Sequence, residues 1–558
     1  MRTRVFYLST TVLLTTFLFG FAIQKTDNKT KQAPKVDNCL SCHKDIDDMP
    51  QGYSDYDVHR QAGLTCASCH GGDPSSTNQE VAMSPAKGYV GVPKRKDIPK
   101  FCGKCHSNID YMRIYQPRIA TDQVTQYYTS MHGKKLMAGD ENVAECASCH
   151  TAHSIFPVKD PRATVYKLNI PSTCNKCHGN SELMKKYNLP SNQLEEYSKS
   201  VHGIALLKQN DLGAPACNDC HGNHGAMPPG ITSISHVCGM CHSNIDYMRV
   251  YQPRIATDQV TQYYTSMHGK KLMAGDENVA ECASCHTAHG IFPVKDPRST
   301  VYKLNIPNTC NKCHGNSELM KKYNLPSNQL EEYSKSVHGI ALLKQNDLGA
   351  PACNDCHGNH GAMPPGITSI AHVCGMCHSS NMEYFNATKM AKAFAEQDFH
   401  GCEQCHGNHC VQKPTDDMIG VGKNSKCVDC HDKGDVGYVA AEKIEGEIVQ
   451  LKNSFDTATS KWEEVRQKGM NDVDIGFLLQ DAKQDLIQSR TLVHTFDPAK
   501  VVVKTKDGMD ITNKAIMLSD KEISEYYTRR NGFAAATLAF LVIVGALYFK
   551  IKDREKRK

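Results

Sequence analysis

Aromatic and apolar residues are scarce in this chain of 558 residues. It has one tryptophan, 7% aromatics and 40% hydrophobic residues, with a mean hydropathy of −0.48. A polypeptide this polar builds only a thin core from its own side chains. Long apolar runs are missing except near the two ends. Strong charge of one sign is missing too: 64 Lys and Arg against 59 Asp and Glu leave +5, which is no basis for nucleic-acid binding. Irregularly placed cysteine is almost absent. Of 27 cysteines, only Cys410 stands outside one fixed spacing.

That spacing is Cys-x-x-Cys-His, and it occurs thirteen times. The sites are Cys39, Cys42 and His43; Cys66, Cys69 and His70; Cys102, Cys105 and His106; Cys146, Cys149 and His150; Cys174, Cys177 and His178; Cys217, Cys220 and His221; Cys238, Cys241 and His242; Cys282, Cys285 and His286; Cys310, Cys313 and His314; Cys353, Cys356 and His357; Cys374, Cys377 and His378; Cys402, Cys405 and His406; and Cys427, Cys430 and His431. Zinc sites use Cys-x-x-Cys pairs but need no His after the second Cys each time. Disulfides impose no single spacing. The pentapeptide is the attachment signature of c-type haem. Two thiols add to the haem vinyl groups, and the adjacent His reaches the iron as proximal ligand. Thirteen covalently attached haem c groups are therefore expected. Each brings a large apolar face, so haem takes the part that disulfides or metals play in small scaffolds. The expected fold is mainly α with long loops, polypeptide wrapped around a haem chain, then a C-terminal helical segment and one transmembrane helix. Haem propionates make the loaded protein more acidic than the sequence pI of 8.1 implies.

Residues 102–237 recur as 238–373 with six differences: Lys104/Met240, Ile114/Val250, Ser154/Gly290, Ala163/Ser299, Ser172/Asn308 and Ser235/Ala371. All are exchanges that a surface tolerates. A tandem duplication, or an error of sequence assembly, produces such near-identity; it gives the two tetrahaem copies one fold and one chemistry. A partial third copy with three sites occupies 374–433. Ahead of the repeats, 23–101 carries two sites. The start, 1–22, reads as a signal peptide: Arg2 and Arg4 precede the apolar run Val5 to Phe21, and Gly20-Phe21-Ala22 is a small-x-small signature. Cleavage after Ala22, or retention as an anchor, follows from these features.

Behind the last site, 434–530 is a helical segment. Ile444, Ile448, Leu451 and Phe455 share one helical face. A break at 469–474 leads to a second helix from Ile475 to about His494, and Asp497-Pro498 ends the pair. Helix is expected again from Met517 to Arg530. The run 531–549 is long enough to span a membrane, and the basic tail 550–558 places its end in the cytoplasm. The expected location is the inner (cytoplasmic) membrane, single-pass, with the haem domain on the periplasmic, extracytoplasmic side.

Fourteen histidines lie outside the pentapeptides. Thirteen are expected as distal ligands: His59, His132, His153, His202, His224, His236, His268, His289, His338, His360, His372, His400 and His409. His494 stands in reserve. His132, His202, His268 and His338 lie in Ser-x-His-Gly, where Gly is expected to let the backbone approach the porphyrin. His224, His360 and His409 follow a site in Cys-His-Gly-Asn-His; His153 and His289 do so in Cys-His-Thr-Ala-His. His236 and His372 directly precede a site. Lys100 occupies that place in the first copy, so the haem at Cys102 or a neighbour is short of a ligand unless His59 or another His substitutes. Two histidines per iron suit electron transfer rather than substrate activation.

Ser-x-His-Gly followed by Cys-x-x-Cys-His-Gly-x-His resembles the periplasmic multihaem c-type cytochromes of bacterial respiration. These range from tetrahaem quinol-dehydrogenase-associated carriers to decahaem carriers of metal reduction. The likeness covers Cys39 to His431. The helical tail with Leu492-Val493-His494 is more faintly similar to the helices closing the ammonia-forming nitrite reductases and hydroxylamine oxidoreductases. Those nitrite reductases carry Cys-x-x-Cys-Lys, which is absent here. The quinol-dehydrogenase carriers are anchored at the N-terminus rather than the C-terminus, which argues against direct quinol oxidation. The resemblance implies a bis-histidine carrier with no catalytic residue of its own. It would pass electrons between redox protein partners or a membrane respiratory complex, with self-association a further expectation. The alternative is an oxidoreductase acting on a small nitrogen or sulfur species at one open haem.

Overall fold

A computed structural model describes residues 36–366 and 370–557. The signal peptide expected at 1–22, the first part of the 23–101 segment and Lys558 of the tail lie outside the described residues. Helices and loops, without a strand, make up the described residues. The chain divides into two compact units. One comprises Met1–Asn192 and Pro215–Met227, the other Gln193–Ala214 and Pro228–Lys558.

The pentapeptides build helices in two ways, and the two alternate along the chain. Five sites are whole helices in themselves: Cys66–His70, Cys146–His150, Cys217–His221, Cys282–His286 and Cys353–His357. Each stops because the residue after the His takes a positive φ. That residue is glycine at Gly71, Gly222 and Gly358, but threonine, with φ 66°, at Thr151 and Thr287. Four other sites close longer helices: Ile98–His106, Ile170–His178, Ile231–His242 and Ile306–His314. Pro99, Pro171 and Pro307 stand in the first turn of three of these, where a missing N–H costs no hydrogen bond. In both kinds, the two Cys and the His share one helical face.

Long-helix and short-helix sites pack in pairs. In the first unit Ile98–His106 lies on Cys146–His150, and Ile170–His178 on Cys217–His221. In the second unit Ile231–His242 lies on Cys282–His286, and Ile306–His314 on Cys353–His357. Protein core is thin around them. Tyr127, Leu136 and Val143 form one small cluster, and Leu342, Ala350 and Ala352 another. Not all six exchanges between the copies are at the surface, contrary to the sequence expectation. Ala163 and Ser299 are each 2% exposed. Ser235 is fully buried and shares a 2.7 Å hydrogen bond with Tyr264, which Ala371 cannot reproduce. Ala and Ser differ by a single oxygen, so both fit the same small space.

The second unit also contains three long helices: α1 (Val436–Gln467), α2 (Val473–Leu492) and α3 (Pro498–Lys556). Asp435 caps α1 by accepting from Tyr438 N at 2.6 Å, and Gly469, at φ 66°, ends it. Asp497 caps α3 by accepting from Ala499 N at 3.0 Å, with Pro498 in its first turn. Asp497-Pro498 therefore starts a helix, while α2 has already ended at Leu492. The third helix begins at Pro498, not Met517, and runs unbroken through the apolar stretch. Ile444, Ile448 and Leu451 of α1 cluster with Leu486 of α2, and Ala458 and Val465 of α1 with Ile475 and Leu479 of α2. The buried stripe of α3 is Val501, Thr505, Gly508, Thr512, Ala515 and Ser519. Its alternating steps of four and three are those of a coiled-coil seam. A Cβ at Gly508 would lie 2.8 Å from Leu451 Cδ1, so the helices approach closely there. Polar layers pin the register: Ser454 Oγ meets Thr512 Oγ1 at 2.6 Å, Thr505 Oγ1 donates to Glu447 Oε2 at 2.9 Å, and Lys504 pairs with the largely buried Asp485 at 2.5 Å. The far end of α3 is long and apolar enough to cross a membrane, and its apolar window is wholly unburied.

Candidate haem-ligand array

Histidines of the pentapeptides face other histidines at one repeated separation. In the first unit His106 faces His59, His70 faces His153, His178 faces His132, and His150 faces His224, with ring centres 6.0, 6.2, 6.2 and 6.1 Å apart. In the second unit the partners are His242 with His202, His314 with His268, His286 with His360, His378 with His338, His357 with His409, and His406 with His494, between 6.0 and 6.4 Å. Two imidazoles bound at about 2 Å to one metal ion have ring centres about 6 Å apart. The side chains present thus fit a haem iron held between two histidines.

The ring planes fall into two classes, which follow the two kinds of helix at the sites of Cys66, Cys102, Cys146, Cys174, Cys238, Cys282, Cys310 and Cys353. At the sites of Cys66, Cys146, Cys282, Cys353 and Cys402 the facing rings lie within 11–25° of parallel. At those of Cys102, Cys174, Cys238, Cys310 and Cys374 they are tilted by 45–84°. Near-parallel and tilted sites alternate along the chain.

A helix corner positions each distal histidine of the Ser-x-His-Gly type. Ser130 Oγ donates to Tyr127 O at 2.6 Å and accepts from Gly133 N at 2.9 Å. It ends one helix and caps the next, which places His132 in the first turn. Ser200, Ser266 and Ser336 repeat this around His202, His268 and His338. The structure gives the glycine a reason within the protein itself. A Cβ at Gly133 would lie 2.0 Å from Tyr127 O, and one at Gly203 1.8 Å from Tyr197 O. The preceding helix therefore leaves no room for a side chain at this position.

The residue before each of these histidines is tied to a second distal segment. Met131 N donates to Ala226 O, Val201 N to Ile291 O, Met267 N to Ala362 O and Val337 N to Val411 O, at 2.8–3.2 Å. Each acceptor lies two residues beyond His224, His289, His360 or His409. Val58 N makes the same bond to Ile155 O, two residues beyond His153. Here Asp57 replaces the serine. Its carboxylate accepts from His59 N at 2.8 Å and Ile155 N at 2.7 Å, and lies 3.2 Å from His59 Nδ1. Sequence inspection passed over Asp57, although it stands two residues before His59 as Ser130 does before His132.

Several rings are held by Nδ1–H, leaving Nε2 for a metal. His70 donates to Gly91 O at 2.9 Å, His221 and His357 to Met227 O and Met363 O at 3.3 Å, and His494 to Thr491 O at 3.0 Å. At several of these histidines burial favours the neutral ring, the form that a metal ligand needs. It lowers His132, His150, His268 and His286, and with the facing His242 behind it brings His202 down to about 4.

The attachment cysteines meet in sequence order. Cys102 lies beside Cys146, Cys174 beside Cys217, Cys282 beside Cys238, Cys310 beside Cys353, and Cys374 beside Cys402. Burial, and after it the thiols of the following site, push up Cys69, Cys149, Cys285, Cys356 and Cys405. The helix Asn38–Asp45 packs on Cys66–His70. Within each unit, every site therefore adjoins the next one in the chain.

All 27 histidines lie among the described residues. His236, His372 and His400 face no histidine ring of this array, nor do His43 and His431. Lys100 accordingly takes no facing ring from the first copy: its equivalents His236 and His372 supply none, and His59 faces His106. His400 Nδ1 instead lies 2.7 Å from Glu403 Oε2. His494, on the chain just past α2, is brought to His406. Cys410 accepts from Gln412 Nε2 at 3.1 Å.

A family profile for cytochrome c3 matches residues 58–179, and one for cytochrome c554 and c-prime matches residues 21–71. Each covers less than half of the chain. No curated protein and no solved structure matches it. With the repeated pentapeptides and the paired imidazoles, the two profiles support a multihaem c-type cytochrome carrying covalently bound haem c.

Proposed function

We propose that the chain is a membrane-anchored, extracytoplasmic electron conduit of thirteen haems, most of them ligated by two histidines. The observation that carries this is the set of facing imidazoles at 6.0–6.4 Å, on sites that within each unit adjoin one another in sequence order. His221 and His289 are proposed as ligands alongside those pairs, and His494 joins the distal set. When attached, haem supplies the one-electron iron couple. The chain's share is to hold neutral imidazoles, fix their planes and bring successive attachment sites together. A paired, low-spin iron changes geometry little on reduction, which suits transfer between partners of the respiratory chain.

The unburied apolar end of α3 and the basic run Lys550 to Lys556 support a single-pass anchor in the inner membrane, with the tail inside and the haems outside. Truncation before Asn531 should release a soluble haem protein; persistent pelleting with membranes would count against this anchor. Intact mass should exceed that of the polypeptide by thirteen haems. EPR of the oxidised protein should show two low-spin families, because near-parallel and tilted imidazole planes split the iron d orbitals differently. A substantially lower haem mass, or a spectrum without the tilted class, would overturn the array.

A further inference from the structure

The last site differs from those inside the chain. His431 faces no histidine, and none of the 27 histidines lies outside the described residues. The spare histidine closest in sequence, His400, does not face His431; its ring is oriented by Glu403, with Nδ1 2.7 Å from Glu403 Oε2, and Glu403 Oε1 accepts from Asn408 Nδ2 at 2.6 Å. His431 also has a different support. Its Nδ1 lies 3.1 Å from Asp435 Oδ2, whereas His70, His221 and His357 bond backbone carbonyls. Asp435 is itself fixed, because its other oxygen caps α1 through Tyr438 N. The ring lies tight against that first turn: a Cβ at Gly437 would stand 2.2 Å from His431 Cε1. The imidazole is clamped on one side and backed by a carboxylate, an arrangement that makes a metal-bound histidine more basic.

We propose that the site of Cys427, Cys430 and His431 binds a small exogenous donor, of the class of carbon monoxide, cyanide or nitrite, opposite His431 in place of a second histidine. The proposal rests on the haem reading above and deepens it, because it gives the conduit a ligand-binding end beside the helical bundle. His43 also faces no histidine, and its Nδ1 lies 3.0 Å from Asp48 O and 3.4 Å from Asp48 Oδ2. Residues 1–35 precede that site outside the described chain, so the proposal is confined to His431.

The test is carbon monoxide titration of the dithionite-reduced, full-length holoprotein, with haem content checked by mass. The Cys427→Ala/Cys430→Ala variant should lose one haem and bind one carbon monoxide fewer per chain. An unchanged stoichiometry in a variant that has lost that haem overturns the proposal. Asp435→Asn keeps the haem and should shift the iron–carbonyl stretching band of one site; no shift overturns the role of Asp435 as its support. His400→Ala should leave the stoichiometry unchanged; a gain of one that disappears when the Cys427 site is also removed would show His400 to be the missing ligand and would overturn the proposal. Failure of the underlying haem reading is recognised separately, by a haem mass well short of thirteen.

Discussion

The region from Cys39 to His431 and the bundle that follows are held together by opposite means. The first is made of helices mostly under a dozen residues, with small clusters such as Tyr127, Leu136 and Val143. Isolated helices of this length are unstable in water, so their order depends on the haems that the paired histidines would clamp. The bundle has helices of 32, 20 and 59 residues and a continuous seam of its own. One region borrows its core and the other makes it.

The largest expected effect follows directly. Without haem attachment, residues 36–433 should lose nearly all helical circular dichroism, while residues 434–530 expressed alone stay helical and melt cooperatively. Equal loss in both would abolish the contrast. Leu451→Ala, at a fully buried seam position, should cost about 2–5 kcal/mol. It should lower the melting temperature of the bundle and leave the visible haem bands alone; bands that change together with it would make the two regions one cooperative unit.

Gly203→Ala should act in the opposite region. Its Cβ meets Tyr197 O at 1.8 Å, so the corner must open, at about 1–3 kcal/mol. His202 then leaves its position and one low-spin haem signal is lost. Gly446→Ala in α1, where nothing lies within 4 Å, should instead raise bundle stability by about 0.5–1 kcal/mol. The smallest effect concerns Thr151, a β-branched residue at φ 66° where other sites have glycine. Thr151→Gly should relieve strain of about 1 kcal/mol, read as a slightly higher melting temperature with unchanged EPR. A decrease would mean that the Thr151 Oγ1 bond to Ser154 O outweighs the backbone strain.

The attachment sites were legible because one spacing, Cys-x-x-Cys-His, recurs thirteen times without exception. Distal partners were only partly legible. His132 and His224 belong to repeated local patterns, but which ring faces which is decided by contacts distant in sequence, such as Met131 N to Ala226 O. His236 and His372 stand directly before a site in sequence, yet neither faces a histidine ring in the fold. His494 is the converse: remote in sequence, it faces His406. Along α1 the apolar face of Ile444, Ile448 and Leu451 announced itself. The buried side of α3 did not, because Thr505, Gly508, Thr512 and Ser519 pack closely without being apolar.

The unbroken course of α3 sets a height. At about 1.5 Å per residue, the rod from Pro498 to Gly532 is roughly 50 Å long. His406 with His494, and His431 against Gly437, join the bundle at the end far from Gly532. Tunnelling decays exponentially with distance. With the apolar end in the bilayer as proposed, a lipid-dissolved carrier has no direct path to these irons. On that proposal, exchange with the membrane at this end of the chain would call for a redox partner that reaches them in the aqueous space.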